Sequence, residues 1–178
     1  MALFSKTSPE AAYSSPLTLD QAQRLLRATE KRKPLHAMLM LALYGGVGKD
    51  EVLLLKKADV DFTKNVITFP KPKRGLLFLP DTMTAISEAV QAQTFKTEYV
   101  FPFTDRVVKQ TLNDLGNSVL GFAISWSTLR KTWAVLCGQH EAKMESMIFY
   151  SQSGPEALAR WMHYGKEGTE LPIDLLSS

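Results

Sequence analysis

A chain of 178 residues is long enough for one domain with a substantial buried core. Hydrophobic residues make up 45% and charged residues 22%, which excludes a globally disordered chain. The formal charge of +3 permits nucleic-acid contact without demanding it, so what matters is whether the 21 Lys and Arg gather on one face. The single cysteine, Cys137, excludes an internal disulfide framework and suits a reducing compartment; lying in an apolar helical run, it reads as core. The apolar run from Leu35 to Tyr44 is too short to span a bilayer, so neither membrane association nor export is expected, and the expected location is cytoplasmic.

Residues 1–16, rich in Ser, Ala and Pro, read as a flexible leader. Thr18-Leu19-Asp20-Gln21 has the form of a capping box and opens a helix with apolar positions at Leu19, Ala22, Leu25 and Leu26. Basic residues Lys31, Arg32 and Lys33 end it. Pro34 starts a second helix, apolar all round and hence buried, which Gly45 and Gly46 stop near Tyr44. A short helix follows over Lys49 to Leu55. Val60 to Phe62 and Val66 to Phe69 flank the turn Thr63-Lys64-Asn65 as a hairpin, and Leu76 to Leu79 add a third strand after a loop from Pro70 to Gly75. Helices are then expected over Asp81–Ala92, Asp105–Leu115, Ser127–Gly138, Glu141–Phe149 and Pro155–His163. Helices, a small three-stranded antiparallel sheet, then more helices predict an α+β fold, a mostly helical single domain over residues 17–164. Residues 165–178 form a C-terminal tail whose Leu171, Ile173, Leu175 and Leu176 are apolar enough to dock in cis or in trans.

Two segments carry the most information. The first is Ser127-Thr128-Leu129-Arg130-Lys131-Thr132-Trp133-Ala134, and the second is Gln152-Ser153-Gly154-Pro155-Glu156-Ala157-Leu158-Ala159-Arg160-Trp161. Together they resemble the C-terminal signature of the tyrosine recombinase (phage integrase) family, His-x-Leu-Arg-His/Lys-Thr-Phe followed by His-Ser-Ser-Pro-x-x-Thr-x-x-Tyr. Leu129, Arg130, Lys131, Thr132, Pro155 and Arg160 fall in register. Ser127 and Gln152 stand at the two histidine positions, and Trp161 stands where the nucleophilic tyrosine belongs. A further stretch, Tyr44-Gly45-Gly46-Val47-Gly48-Lys49-Asp50-Glu51, resembles the family segment that carries the first arginine, with Gly48 at the arginine position.

The resemblance implies the fold of the family's catalytic domain, without its N-terminal core-binding domain, over roughly Leu17 to Tyr164. It also implies a role for each position. In the family a tyrosine oxygen attacks a DNA phosphate, two arginines and a histidine or similar donor stabilise the charge, and a hairpin lysine protonates the leaving oxygen. Lys71, in Phe69-Pro70-Lys71-Pro72-Lys73-Arg74-Gly75, stands at the hairpin position. Ser127 and Gln152 can hydrogen-bond an oxygen but do not titrate near neutrality. The indole of Trp161 is a donor only and cannot form a phosphoester; packing is its expected role, with the final helix docked in cis. Arg130 either holds a phosphate or pairs with a buried carboxylate such as Glu51.

These substitutions lead to the expectation of a catalytically inactive DNA-binding protein, a regulator of transcription or recombination on a mobile element. The residues expected to face double-stranded DNA are Lys49, Lys56, Lys57, Lys71, Lys73, Arg74, Arg106, Lys109, Arg130 and Lys131. One alternative is a protein-interaction module that modulates an active recombinase, or a second copy of itself, through the C-terminal tail. Another is an atypical active recombinase using Tyr164. No cofactor or metal is expected, because His36, His140 and His163 lack ligand spacing and no phosphate-binding glycine loop is present.

Overall fold

The computed structural model describes residues 15–163, with side chains through residue 159. The leader as far as residue 14, Tyr164 and the tail 165–178 lie outside the described residues. Eight α-helices and a three-stranded sheet follow in chain order among the described residues: α1 (Leu19–Thr29), α2 (Lys33–Gly45), α3 (Lys49–Leu53), β1 (Val60–Asp61), β2 (Val66–Pro70), β3 (Lys73–Leu77), α4 (Pro80–Gln91), α5 (Asp105–Leu120), α6 (Trp126–Gln139), α7 (Met144–Ser151) and α8 (Pro155–His163). The α+β fold with a small antiparallel sheet stands as expected.

The capping box at α1 forms in full: Gln21 N donates to Thr18 Oγ1 over 3.2 Å, and Thr18 N donates to Gln21 Oε1 over 3.0 Å. Helix α2 is the centre of the molecule. Leu35 and every residue from Ala37 to Leu43 are buried along it, and it packs against α1, α4 and α6. Fully burying each leucine there contributes about 1.5–3 kcal/mol. His36, on the α1 side, sets its Nδ1 3.1 Å from both Thr29 Oγ1 and the Leu26 carbonyl. Burial lowers its pKa from the ordinary 6.5, so the ring favours the neutral form.

Gly46 ends α2 in the left-handed conformation at φ 60°, and a Cβ there would sit 2.3 Å from the Trp133 ring. Both the backbone angle and the close approach require glycine. Trp126 fixes the following residue by donating its indole N–H to the Val47 carbonyl over 2.8 Å. Thr132, fully buried on α6, accepts a 2.8 Å bond from Leu17 N and ties the start of the described chain to the C-terminal half.

The sheet is antiparallel in the order β1-β2-β3. Ile67, Phe69, Arg74 and Leu76 point inward, while Lys73, Gly75 and Leu77 point outward. The third strand begins three residues earlier than expected and ends at Leu77, because Lys71-Pro72 alone turn the chain and Pro70 already pairs with Lys73. Three helix boundaries also differ. Helix α3 stops at Leu53, and α5 runs on to Leu120 before Gly121 ends it at φ 83°. Helix α7 starts at Met144, because Glu141 adopts φ 56° in the turn after α6.

Candidate nucleic-acid interface

Strand alternation decides what the basic hairpin offers. Lys71 and Lys73 are exposed at and beside the turn, whereas Arg74 is turned into the protein, its side chain only 2% exposed. Its guanidinium grips Glu51 as a fork: Nη1 donates to Oε1, and Nη2 donates to Oε2 over 3.0 Å. Nη2 also donates to the Tyr150 carbonyl over 3.0 Å, and Nη1 lies 3.5 Å from the Pro72 carbonyl. The Phe69 ring centroid lies 5.2 Å from the guanidinium carbon. Nε has no acceptor among the described residues. Glu51 is aimed by the first turn of α3, where its Oε2 accepts from Gly48 N over 3.1 Å.

Arg130 approaches the same region from α6. Its Nε donates to the Gly46 carbonyl over 2.9 Å, and Nη2 donates both to the Ser151 carbonyl and to Ser153 Oγ, the latter over 2.9 Å. Burial lowers its pKa; the Glu51 carboxylate opposes that shift and the Arg74 charge adds to it. An arginine starts so high that it stays charged all the same. Arg74 and Arg130 therefore both cap the carboxyl end of α7, satisfying the carbonyls of Tyr150 and Ser151 at the negative end of the helix dipole. Tyr150 returns the link by donating its hydroxyl to the Leu77 carbonyl over 3.1 Å.

The structure thus brings Gly46–Glu51, the base of the hairpin, Arg130 and residues 150–153 into one cluster. Arg74 corrects the sequence reading: it is a buried strand residue paired with a carboxylate, not part of an exposed basic loop, because period-two alternation puts it on the face of Leu76. Of the two arginines it is Arg74, not Arg130, that grips the Glu51 carboxylate. Lys49 pairs with Asp105 at the start of α5, and Lys56 pairs with Glu98 over 3.1 Å. Lys57 and Lys131 are half-buried, and Arg106 and Lys109 are exposed on α5. Ser127 is exposed in the first turn of α6. Gln152, also exposed, takes φ 54° and donates its side-chain amide to the Phe149 carbonyl over 2.8 Å. Trp161 falls in α8, but its side chain, and with it the expected burial, lies outside the described residues. The Glu51–Arg74 pair was missed in the sequence; counting back in twos from apolar Leu76 is the signal that finds Arg74 inside.

Among the described residues, no three His, Cys, Asp or Glu side chains are grouped to hold a metal ion, and no helix is long and apolar enough to cross a membrane.

No protein-family model matches the sequence. A comparison with curated proteins finds no match. Solved structures do match in fold. The XerA recombinase superposes with a TM-score of 0.72 at 18% identity, over 87% of this chain and 66% of its own. The XerH site-specific recombinase bound to a palindromic difH substrate gives 0.70 at 13% identity, over 87% of this chain and 51% of that one. The Tn1549 transposon integrase in complex with circular intermediate DNA gives 0.71 at 12% identity, over 88% and 64%. The fold is that of a tyrosine recombinase catalytic domain, and this chain spans only about half to two thirds of each of these longer proteins.

Proposed function

We propose that this chain is a catalytically inactive, recombinase-like protein that grips double-stranded DNA through its phosphates and regulates transcription or recombination, on a mobile element. The observation that carries this reading is the engagement of Arg130. Its guanidinium, at the position the resemblance assigns to phosphate, is bonded to Gly46, Ser151 and Ser153, while Lys71 and Lys73 stand exposed on the β2–β3 hairpin. Two of the matched structures, XerH and the Tn1549 integrase, hold DNA, which supports the partner class.

The chemistry of the aligned positions supports binding without reaction. Gly48 offers no guanidinium, Ser127 and Gln152 offer no titrating group, and Trp161 offers no oxygen to attack a phosphate. Phosphate attraction survives such losses, because it depends on basic surface and counterion release rather than on a nucleophile.

The test has two arms. Nicked suicide substrates should yield no covalent adduct on denaturing gels, and an adduct abolished by Tyr164→Phe would establish an active recombinase instead. Binding to random duplex DNA should weaken steeply as salt rises. A second reading, a protein-interaction module, is favoured by an apolar groove of about 440 Å³ lined by Leu43, Leu77, Leu79, Trp133, Met147 and Tyr150, among others. No DNA binding at any salt concentration would leave that reading in place.

A further inference from the structure

We infer that the buried Glu51–Arg74 pair is a positioning device for DNA binding: it pins the base of the β2–β3 hairpin so that Lys71 and Lys73 are held ready for backbone phosphates, without either member of the pair touching DNA. The inference rests on the DNA-binding reading given above.

The geometry is that of a junction. One guanidinium joins three elements: the hairpin turn through the Pro72 carbonyl, the amino end of α3 through Glu51, and the carboxyl end of α7 through the Tyr150 carbonyl. Glu51 in turn accepts from Gly48 N, so the carboxylate is itself held in place. Arg74 directly follows Lys73 and lies three residues after Lys71, the two lysines at the hairpin turn. Its Nη donors already face protein acceptors, and its side chain is 2% exposed, so it has no open face for a phosphate.

A two-residue turn carrying Lys71, with Lys73 beside it at the start of β3, would otherwise have to be ordered on binding, and each immobilised long side chain or loop opposes association. A base fixed in advance removes part of that cost. The number of phosphates contacted stays the same, so the pin acts on affinity and leaves the salt slope unchanged. That separates a positioning residue from one that reads the backbone itself.

The experiment uses the full chain and the charge-neutral double variant Glu51→Met/Arg74→Met, which replaces the pair with apolar groups of similar length. Hydrogen exchange by mass spectrometry over residues 66–77, and binding to a random-sequence duplex across a salt series, are measured side by side. The pin predicts faster exchange in the hairpin, roughly tenfold weaker binding and an unchanged slope. Unchanged exchange or unchanged affinity in a folded double variant overturns it. A slope lowered by about one overturns it as well, since Arg74 would then be a phosphate contact. If the double variant does not melt cooperatively, Arg74→Lys keeps the charge, loses the fork and carries the same expectations. A wild-type chain that binds no duplex at all would overturn the DNA-binding reading. A wild-type chain that binds, with a variant that binds equally well, would overturn the pin alone.

Discussion

The tip and the base of one hairpin divide a single basic run between two fates. Lys71 and Lys73 are exposed, while Arg74, the next residue, is enclosed against Phe69 and Glu51. Nothing in residue type separates them, since all are long cations; the side of the strand does. The base is a place where charge must be matched, because an unpaired ion there would carry a large desolvation cost. At the tip, charge is free to act on something outside. A basic cluster in a sequence is therefore not yet a basic surface.

The largest expected effect breaks the base. Arg74→Met alone leaves the Glu51 carboxylate, 16% exposed, without its fork, and should lower unfolding free energy by about 3–5 kcal/mol. The Glu51→Met/Arg74→Met double should recover most of that loss. Urea unfolding of both variants measures it. A single variant as stable as wild type would mean that the base is no more demanding than the tip, and the comparison would fail. Gly46→Ala comes next. It forces a side chain into a left-handed backbone and against the Trp133 ring 2.3 Å away, and should cost about 2–4 kcal/mol. Because Gly46 also supplies the carbonyl that holds Arg130 Nε, the same variant should raise hydrogen exchange in α6 near Arg130. Exchange rising uniformly across the fold would assign the damage to packing alone.

How far the site was legible in the sequence follows from which rules act locally. The capping box at Thr18, the all-apolar α2 and the glycine stop after Tyr44 are local signals, and they form as read. Arg130 was singled out by motif register, and it does sit in the cluster. Glu51 was offered to Arg130 only as one of two alternatives, and Arg74 was not considered for it, because partner choice depends on how β3 is registered against β2. That register turns on a two-residue turn that looks like a longer loop in the sequence. Leu76 and Phe78 already pointed to the inner face; extending their alternation two residues upstream through Gly75 would have enclosed Arg74. Trp161 remains a sequence argument, carried by its alignment with the tyrosine position.

His36 sharpens the comparison from a third side. It is a half-buried base: where the Glu51 carboxylate matches the charge of Arg74, burial disfavours the charged form of His36, which Thr29 and the Leu26 carbonyl hold in place. Its folded pKa is lowered by burial; the hydrogen bond with the Leu26 carbonyl opposes that shift, and Glu30, Lys33 and Glu88 act as smaller influences. The unfolded chain then binds the proton more readily, so this stabilisation is present above the ordinary value of 6.5 and is lost as pH falls through 6.5 toward the lower folded value. Urea unfolding at pH 8 and near pH 5.5 should show the wild type losing more stability than His36→Gln across that interval. Equal losses would mean that the ring accommodates its proton in the fold.

The smallest effect on stability is expected at the tip. Lys71→Gln/Lys73→Gln removes two exposed cations, and surface changes away from caps, cavities and buried pairs leave unfolding free energy almost unchanged. Its melting curve should overlay that of the wild type, and its DNA-binding curve should not. If each lysine meets one phosphate, the slope of log affinity against log salt should fall by about two, equally for every duplex sequence, because phosphate contacts position the protein without reading bases. The charge-neutral change at the base should weaken binding with the slope intact, while the tip variant should lower the slope with the fold intact. Tip substitutions that leave the slope unchanged would place the phosphate contacts elsewhere, with exposed Arg106 and Lys109 on α5 the next pair to neutralise.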